Sequence, residues 1–330
     1  MPKKNKIKRL ISKKFYILFI LLSITFFYIY PQLETPVLFI IFNRLGTTQR
    51  VFKKIRQAKP TKLFIAADGN RNNSKDLINC KNTRKIIKHV DWPCQLHLLL
   101  RDKNLGCSKS IIYAINWFFE HVEEGIILED DCLPDLSFFG FCKQMLERYR
   151  NNQNVMMING VNYLDYKTKS TISSDYLFLN LYTVWGWATW KRAWKLFDFK
   201  MSALTNNTNS ALNKIKSFLD NDYLYKKYMH HIPAFLLNGD EIKNGAWDVA
   251  WWYTCLINDG LCITPINNLI SNIGGIDKCN YSFPRKSINL NKIKHPEKIE
   301  ANKNLSILIN ENGRKLSSGE NNQLDLIDEK

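Results

Sequence analysis

Short apolar runs alternate with helix-forming segments along the first 130 residues, and this alternation restricts the possible folds more than any other feature. The first run, residues 36–42, is continuously apolar, which is typical of a strand buried on both faces of a parallel sheet. Further strands are predicted at Lys62–Ala67, Gln95–Leu100 and residues 125–128. Helices are predicted between them, at residues 48–58, 77–90 and 108–120. Strands and helices at these intervals predict an α/β fold, with a mostly parallel sheet flanked by helices and right-handed crossovers.

The second half is less regular. A helix is predicted at residues 136–150, a strand at 155–158, and a weakly alternating strand at 176–182 that runs into a Trp-rich loop. A loop and helix at 205–216, a helix from Trp247 and a strand at 260–265 follow. We therefore expect one domain over residues 35–296 and a polar, partly disordered tail over 297–330.

Three adjacent carboxylates, Glu129, Asp130 and Asp131, come directly after the fourth predicted strand. They repel one another unless a cation neutralises them or water solvates them. Mg²⁺ or Mn²⁺ is the natural partner, since both take carboxylate oxygens together with substrate phosphates. Ligands of open α/β sheets also collect at the carboxyl ends of strands. The alternative is a solvated acidic turn.

Asp68 and Asp248 are two further candidate site residues. Asp68 ends the second strand and could accept hydrogen bonds from a uracil or a ribose, although Asp68-Gly69 is also a strong turn dipeptide. Asp248 lies in an aromatic setting that would exclude water and raise its pKa towards that of a general base. It could equally cap the helix that starts there.

The segment around Gly186 is unusually rich in tryptophan. Trp185 and Trp187 flank this glycine, and Trp190 follows. Aromatic faces stack on the apolar C–H surfaces of sugars, so the segment could form one wall of a sugar site. Core packing is the alternative, and both remain open at this stage.

The net charge of +17 is concentrated at the N-terminus, where seven Lys and Arg residues occur within the first 14 positions without an acid. A basic chain favours anionic partners such as nucleotide diphosphates or lipid headgroups. No nucleic-acid-binding motif is present, so we expect no nucleic acid partner.

An uncharged apolar segment follows this basic segment, 1–14. Residues 15–30 would span about 24 Å as a helix, slightly less than a hydrocarbon core. We predict a transmembrane anchor at 15–31; a cleaved signal peptide is the alternative, although no small-residue cleavage site is present. The positive-inside rule predicts a single-pass membrane protein with a cytoplasmic N-terminus.

The eight cysteines contain no CxxC pair, which argues against a zinc site. Disulfides and free buried thiols are both compatible with their spacing.

These motifs, in this order, resemble the nucleotide-diphospho-sugar transferases of the GT-A fold, especially bacterial relatives of the N-acetylglucosaminyltransferase I group. The resemblance covers residues 36–295. It rests on residues 36–44, 65–69, 104–106, 129–131, 134, 138–139, 185–190, 247–248 and 268–274.

The resemblance implies a metal-dependent, inverting glycosyltransferase that moves a sugar from a nucleotide-diphosphate donor, most simply a UDP-sugar, to a hydroxyl of a glycan or glycoconjugate. Asp131 would ligate Mn²⁺ or Mg²⁺, and Glu129 and Asp130 would serve the ribose or the donor sugar. Asp248 would be the base.

The remaining assignments also follow from the resemblance or from charge. Asn43, Arg44 and Asp68 match positions that line the nucleotide, and Arg101 and Lys109 are basic candidates for the diphosphate. Trp185, Gly186, Trp187 and Trp247 would contact the acceptor or the sugar.

The chain departs from these relatives after Gly274-Gly275, where a His-Thr pair is replaced by residues 279–282, which begin with Cys279. Two other classes remain: a metal-dependent nucleotidyltransferase and a non-catalytic, membrane-tethered carbohydrate-binding protein.

Overall fold

The first half of the chain folds as the alternation predicts. We describe it from a computed structural model that covers residues 32–164, 166–180, 182–202, 208–219, 247–274, 288–296 and 298. The elements in this half are β1 (Val37–Ile41), α1 (Leu45–Ala58), β2 (Lys62–Ala67), α2 (Ser74–Arg84), a 3-10 turn (Lys85–His89), β3 (Gln95–Leu100), α3 (Cys107–His121) and β4 (Glu124–Glu129).

The second half contains further strands and helices in a less regular order. They are β5 (Cys132–Pro134), α4 (Leu136–Tyr149), β6 (Val155–Asn159), α5 (Tyr166–Ser170), β7 (Tyr176–Leu179), β8 (Trp187–Trp190), α6 (Lys191–Trp194), α7 (Thr208–Leu219), α8 (Trp247–Ile257), β9 (Leu261–Pro265) and β10 (Ile270–Asn272).

Eight of the described strands form one sheet in the order β3-β2-β1-β4-β8-β6-β9-β7. Strand β1 pairs in parallel with β2 and β4, β2 with β3, and β6 with β9. Strand β8 is antiparallel to β4 and β6, and β7 is antiparallel to β9. Six of the eight strands therefore run in one direction, which confirms the predicted mostly parallel α/β sheet.

Helix α1 shows how the pattern generates this packing. It buries Thr48, Val51, Phe52 and Ile55, a spacing of three and four residues that forms one helical stripe. The helix ends at Lys59, whose left-handed backbone (φ 49°) lets its N–H reach the carbonyl of Ile55.

Several elements differ from the sequence prediction. Residues 132–134 and 270–272, for which no strand is predicted, form β5 and β10 and pair with each other antiparallel. Residues 187–190, predicted as a loop, form β8 in the middle of the sheet. These strands pair with segments that are distant in the chain, so no local sequence pattern predicts them.

The predicted segments at the two ends of the chain remain predictions. The basic stretch 1–14, the anchor 15–31 and all of the tail 297–330 except Lys298 lie outside the described residues. Within the described ranges no helix combines the length and apolarity needed to cross a membrane. The seven described cysteines are free thiols, and Cys279 lies outside the described residues.

Candidate functional site at the carboxyl edge of the sheet

Polar residues that follow four neighbouring strands meet at one edge of the sheet. Strands β1 to β4 are mutually parallel, so their carboxyl ends lie side by side. Asn43 and Arg44 follow β1, Asp68 follows β2, Arg101 follows β3, and the acidic triplet ends β4. The predicted nucleotide-binding residues are therefore neighbours in space as well as in the sequence pattern.

Asp130 is the most deeply placed acid of the triplet. Only 4% of its side chain is exposed, and one oxygen accepts a 3.3 Å hydrogen bond from the backbone N–H of Phe42. The other oxygen is paired with the guanidinium of Arg44. Burial raises the pKa of Asp130, although the Arg44 charge works against that rise.

Arg44 bridges two of the three acids. Its Nη2 contacts Asp130 Oδ1, and its Nη1 lies 2.9 Å from Asp131 Oδ2. Burial alone would lower the pKa of Arg44, but the charges of Asp130 and Asp131 raise it above its usual value. The arginine therefore stays positively charged and neutralises part of the negative charge at this edge.

Glu129 is the last residue of β4 and keeps some exposed surface. Loss of hydration and the negative charges of Asp131 and Asp130 raise the pKa of Glu129 to about 8. A carboxyl group in this environment holds a proton at neutral pH, so it can donate a hydrogen bond as well as accept one.

The chain from β10 to Gly274 closes over the acids. Strand β10 pairs with β5, directly after the triplet, and the N–H of Ile273 donates to the carbonyl of Asp131 at 2.8 Å. A Cβ at Gly274 would lie against Asp131 Oδ2 and 2.8 Å from Arg44 Nη1. A side chain at this position would therefore force the ion pair to shift.

Asn43 is held by a residue that sequence analysis missed. Its amide donates to Asp76 Oδ1 at 2.7 Å, and Arg71 also pairs with Asp76. The ion pair with Arg71 lowers the pKa of Asp76. Asp76 follows its capping residue Asn73 by three positions, so the sequence shows only an ordinary helix start.

Asp68, predicted to contact the nucleotide, is hydrogen-bonded within the protein. Its carboxylate accepts hydrogen bonds from the N–H of Gly69, the N–H of Leu105 and the amide of Asn104, at 2.9–3.1 Å. All three donors belong to the protein itself, which favours the turn interpretation. Asp68 thereby fixes the loop that starts α3.

Arg101 and Lys109 flank that loop. Within the described part of the chain, Arg101 Nη1 is buried without a hydrogen-bond partner, and burial lowers the pKa of Arg101 while the Asp68 charge opposes this. Lys109 lies half-buried in the first turn of α3. Both remain candidates for an anionic ligand.

Cys107 is a second residue that sequence analysis missed. It is exposed and is the first residue of α3. Partial loss of hydration of the thiol, together with the charges of Glu129 and Asp248, raises the pKa of Cys107 to about 11. Asp248 also raises the pKa of Glu129, and charges act appreciably only over short distances in water. The carboxylate predicted as the base therefore acts electrostatically on the acidic triplet.

The surroundings of Asp248 differ from the prediction. Helix α8 buries Trp247, Ala250 and Trp251, while Asp248 in its first turn is exposed. The aromatic residues thus face the core, and they do not enclose the carboxylate as expected.

Two of the predicted sugar-contacting tryptophans lie in the core. Trp187 and Trp247 are 1% and 5% exposed, and their ring centroids are 6.1 Å apart. Packing therefore replaces the predicted sugar contact for both, because buried rings present no face to a ligand. Trp185 is half-buried. Gly186 has a φ of +66° and packs against the Ile270 side chain, so a Cβ has no room there.

The acids suit a divalent cation in the chemistry of their oxygens. No group of three His, Cys, Asp or Glu side chains is arranged to hold a metal within the described ranges. Mg²⁺-type sites commonly take one or two protein carboxylates and complete their shell with phosphates and water. Asp131, with 14% of its side chain exposed, fits such a partial site.

Comparison with known proteins adds little to this geometry. No family model matches the chain, and no curated protein matches it. One solved structure that is similar in part is the mannosyltransferase PcManGT from Pyrobaculum calidifontis in complex with GDP-Man and Mn²⁺, at 14% identity and a TM-score of 0.33. The match covers 48% of this chain and 44% of that one, so the chain spans under half of the neighbour's length. A likeness of this extent carries no weight for fold or function.

Proposed function

We propose that this chain is a glycosyltransferase of the GT-A type, which moves a sugar from a nucleotide-diphosphate donor to a hydroxyl of a glycan or glycoconjugate. One observation carries the proposal. Arg44 and the triplet of Glu129, Asp130 and Asp131 meet at the carboxyl edge of a parallel sheet, with Asp248 close enough to influence Glu129. A UDP-sugar is the simplest donor.

The basic residues at this edge would bind the donor diphosphate. Arg44 offers a planar fork of donors suited to phosphate oxygens. Arg101 has an unsatisfied guanidinium nitrogen in the described part of the chain, and Lys109 adds a flexible charge. A bound Mn²⁺ or Mg²⁺, held through Asp131, would supply further positive charge for the departing diphosphate.

Asp248 would act as the base of a single displacement. It takes the proton of the acceptor hydroxyl while that oxygen attacks the anomeric carbon. The bond from this carbon to the diphosphate breaks at the same time, and the nucleoside diphosphate leaves. The product has inverted stereochemistry. Trp185 and Gly186 would border the acceptor.

A thermal-shift screen tests donor and cation together. The full chain is melted with UDP- and GDP-sugars, with and without Mn²⁺, because a ligand that binds the native state raises the apparent melting temperature. Stabilisation that requires both a sugar nucleotide and Mn²⁺ supports the proposal. No stabilisation by any sugar nucleotide rejects it.

Product analysis separates the transferase from the nucleotidyltransferase alternative. Sugar transfer releases a nucleoside diphosphate, whereas nucleotidyl transfer releases pyrophosphate. Asp248→Asn should abolish sugar transfer and leave the donor-induced thermal shift nearly intact. A loss of the shift in that variant would show that Asp248 binds the donor and is not the base.

The membrane anchor belongs to the same proposal. We propose that residues 15–31 hold the enzyme in the membrane as a single span with a cytoplasmic N-terminus. Carbonate washing of membranes from expressing cells tests this idea. A full chain that is released into the supernatant, with its N-terminus intact, would exclude the anchor.

A further inference from the structure

We propose that Arg44 is an exchangeable counter-ion, which holds Asp130 and Asp131 together in the ion-free protein and must leave Asp131 before a divalent cation can bind there. This inference deepens the function proposed above and rests on it for the presence of a cation.

The bridge uses two nitrogens of one guanidinium. Nη2 contacts Asp130, and Nη1 lies 2.9 Å from Asp131 Oδ2. An arginine that pairs with a single carboxylate commonly places both nitrogens on it. Here each acid receives one nitrogen, so a single positive charge is shared by two negative ones. The two carboxylates and the guanidinium together keep a net negative charge, which attracts a further cation.

The side chain of Asp130 is held more firmly than the side chain of Asp131. Asp130 is also fixed by the N–H of Phe42 and is almost fully buried. Asp131 is more exposed, and among the described residues its second oxygen, Oδ1, accepts only a weak 3.5 Å contact from the Cys132 thiol. Asp131 is therefore the acid that can change partner, and its Oδ2 is the atom that Arg44 occupies.

Arg44 is partly covered and partly exposed. The backbone at Gly274 covers the ion pair so closely that a Cβ there would lie 2.8 Å from Nη1. The Arg44 side chain nevertheless keeps 40% of its surface exposed. It therefore has solvent into which it can move when it leaves Asp131.

This exchange has a thermodynamic consequence. If the cation binds only when Arg44 is displaced, only the molecules in which Asp131 is free can bind it. The apparent dissociation constant for the cation is then the intrinsic constant divided by the fraction of such molecules. A diphosphate would give the displaced guanidinium a new anionic partner. Donor and cation should then tighten each other's binding, as linkage requires.

The test measures Mn²⁺ affinity without any sugar nucleotide. Free Mn²⁺ is followed by electron paramagnetic resonance during titration of the full chain in detergent. Arg44→Gln should bind Mn²⁺ about tenfold more tightly than the unmodified protein, because the competing charge is gone. Unchanged or weaker binding by folded Arg44→Gln overturns the inference.

Three variants control the measurement. Arg101→Gln removes a positive charge from the same sheet edge, and Arg56→Gln removes one from an exposed ion pair with Asp91. If either variant gains as much Mn²⁺ affinity as Arg44→Gln, the gain reflects only the change in net charge, and the proposed exchange is wrong. Asp131→Asn in the Arg44→Gln background should remove the tight site, and its retention places the cation elsewhere.

A second variant and a transfer assay distinguish a folding defect, a failure of the exchange and a failure of the transferase proposal. If Arg44→Gln does not show a cooperative melt, Arg44→Lys decides alone, since an ammonium cannot bridge both acids as a fork does. Equal Mn²⁺ affinity in Arg44→Lys overturns the inference. Tighter Mn²⁺ binding by Arg44→Gln, together with no sugar transfer by the unmodified protein, would reject the transferase proposal and leave the exchange standing. Mn²⁺-dependent transfer by the unmodified protein, with no affinity gain in Arg44→Gln, would do the reverse.

Discussion

The side chains of Asp68 and Asn104 are joined by a 2.9 Å hydrogen bond from Asn104 Nδ2 to Asp68 Oδ2. The side-chain amide of Asn104 and the backbone N–H of Leu105, both in the loop that starts α3, therefore donate to one carboxylate, which directly follows β2. We expect Asp68→Ala to cost about 1–3 kcal/mol of unfolding free energy, because the N–H of Leu105 loses its acceptor. Urea unfolding measures this loss. Asp102→Ala, at an exposed neighbouring position, should change stability by less than about 0.5 kcal/mol, and an equal loss in both variants would contradict the role of Asp68.

The stability of the protein should decline as pH rises because of Glu129. Its pKa is about 8 in the folded protein, against an ordinary value of 4.5. Between these pH values the folded state keeps a proton that the unfolded chain has lost, so unfolding becomes easier as pH increases, by about 1 kcal/mol per pH unit.

Glu129→Gln should remove that decline. Urea unfolding at pH 5, 6.5 and 8 provides the measurement, with Glu123→Gln as the matched control at an exposed position just before β4. Parallel pH profiles for Glu129→Gln and the unmodified protein would refute the assignment.

Gly274→Ala should disturb the Arg44–Asp131 ion pair. The added methyl group has no space beside Asp131 Oδ2 and Arg44 Nη1, and overpacking of this kind costs about 1–3 kcal/mol. Differential scanning calorimetry should show a lower melting temperature. Gly46→Ala is the control, because nothing lies within 4 Å of a Cβ at that position. A melting temperature for Gly274→Ala equal to that of Gly46→Ala would count against the close approach.

Cys107 should report the charge of the acidic triplet. Thiolates react with iodoacetamide and thiols do not, and Glu129 contributes to raising the pKa of Cys107 to about 11. At pH 9, where Glu129 is ionised, Glu129→Gln should therefore speed alkylation of Cys107 several-fold.

Mass spectrometry of the two cysteine-containing peptides provides the measurement and its internal control. Burial alone raises the pKa of Cys94, so its rate should be the same in both proteins. A common acceleration of Cys94 and Cys107 would point to loosening of the fold, and no acceleration of Cys107 would contradict the electrostatic link.

The sequence predicts the strands of the first half well because β1, β2 and β4 are apolar and buried along most of their length, and the more exposed edge strand β3 is also rich in leucine. Lys62–Ala67 and Gln95–Leu100 have the predicted bounds. Hydrophobic periodicity reports burial, and burial follows from position in the sheet. Strands β5 and β10 have three residues each, too few to show a period, so they escape prediction.

The site is predictable in its residue types but not in their contacts. The position of Arg44 after β1 indicates the carboxyl edge, yet its bridge to Asp130 and Asp131 depends on two strands pairing across the chain. The same limit applies to tryptophan. Trp187 and Trp185 look alike in sequence, but Trp187 begins the central strand β8 and is 1% exposed, whereas Trp185 precedes that strand and is half-buried.

The pairing of β10 with β5 makes the acidic turn independent of the chain that follows it. The hydrogen bond from the N–H of Ile273 to the Asp131 carbonyl fixes residues 270–274 against the acidic turn. In protein engineering, segments after Gly274 can therefore be exchanged to alter what this edge of the sheet recognises, while the pairing of β5 with β10 keeps the spacing of the carboxylates.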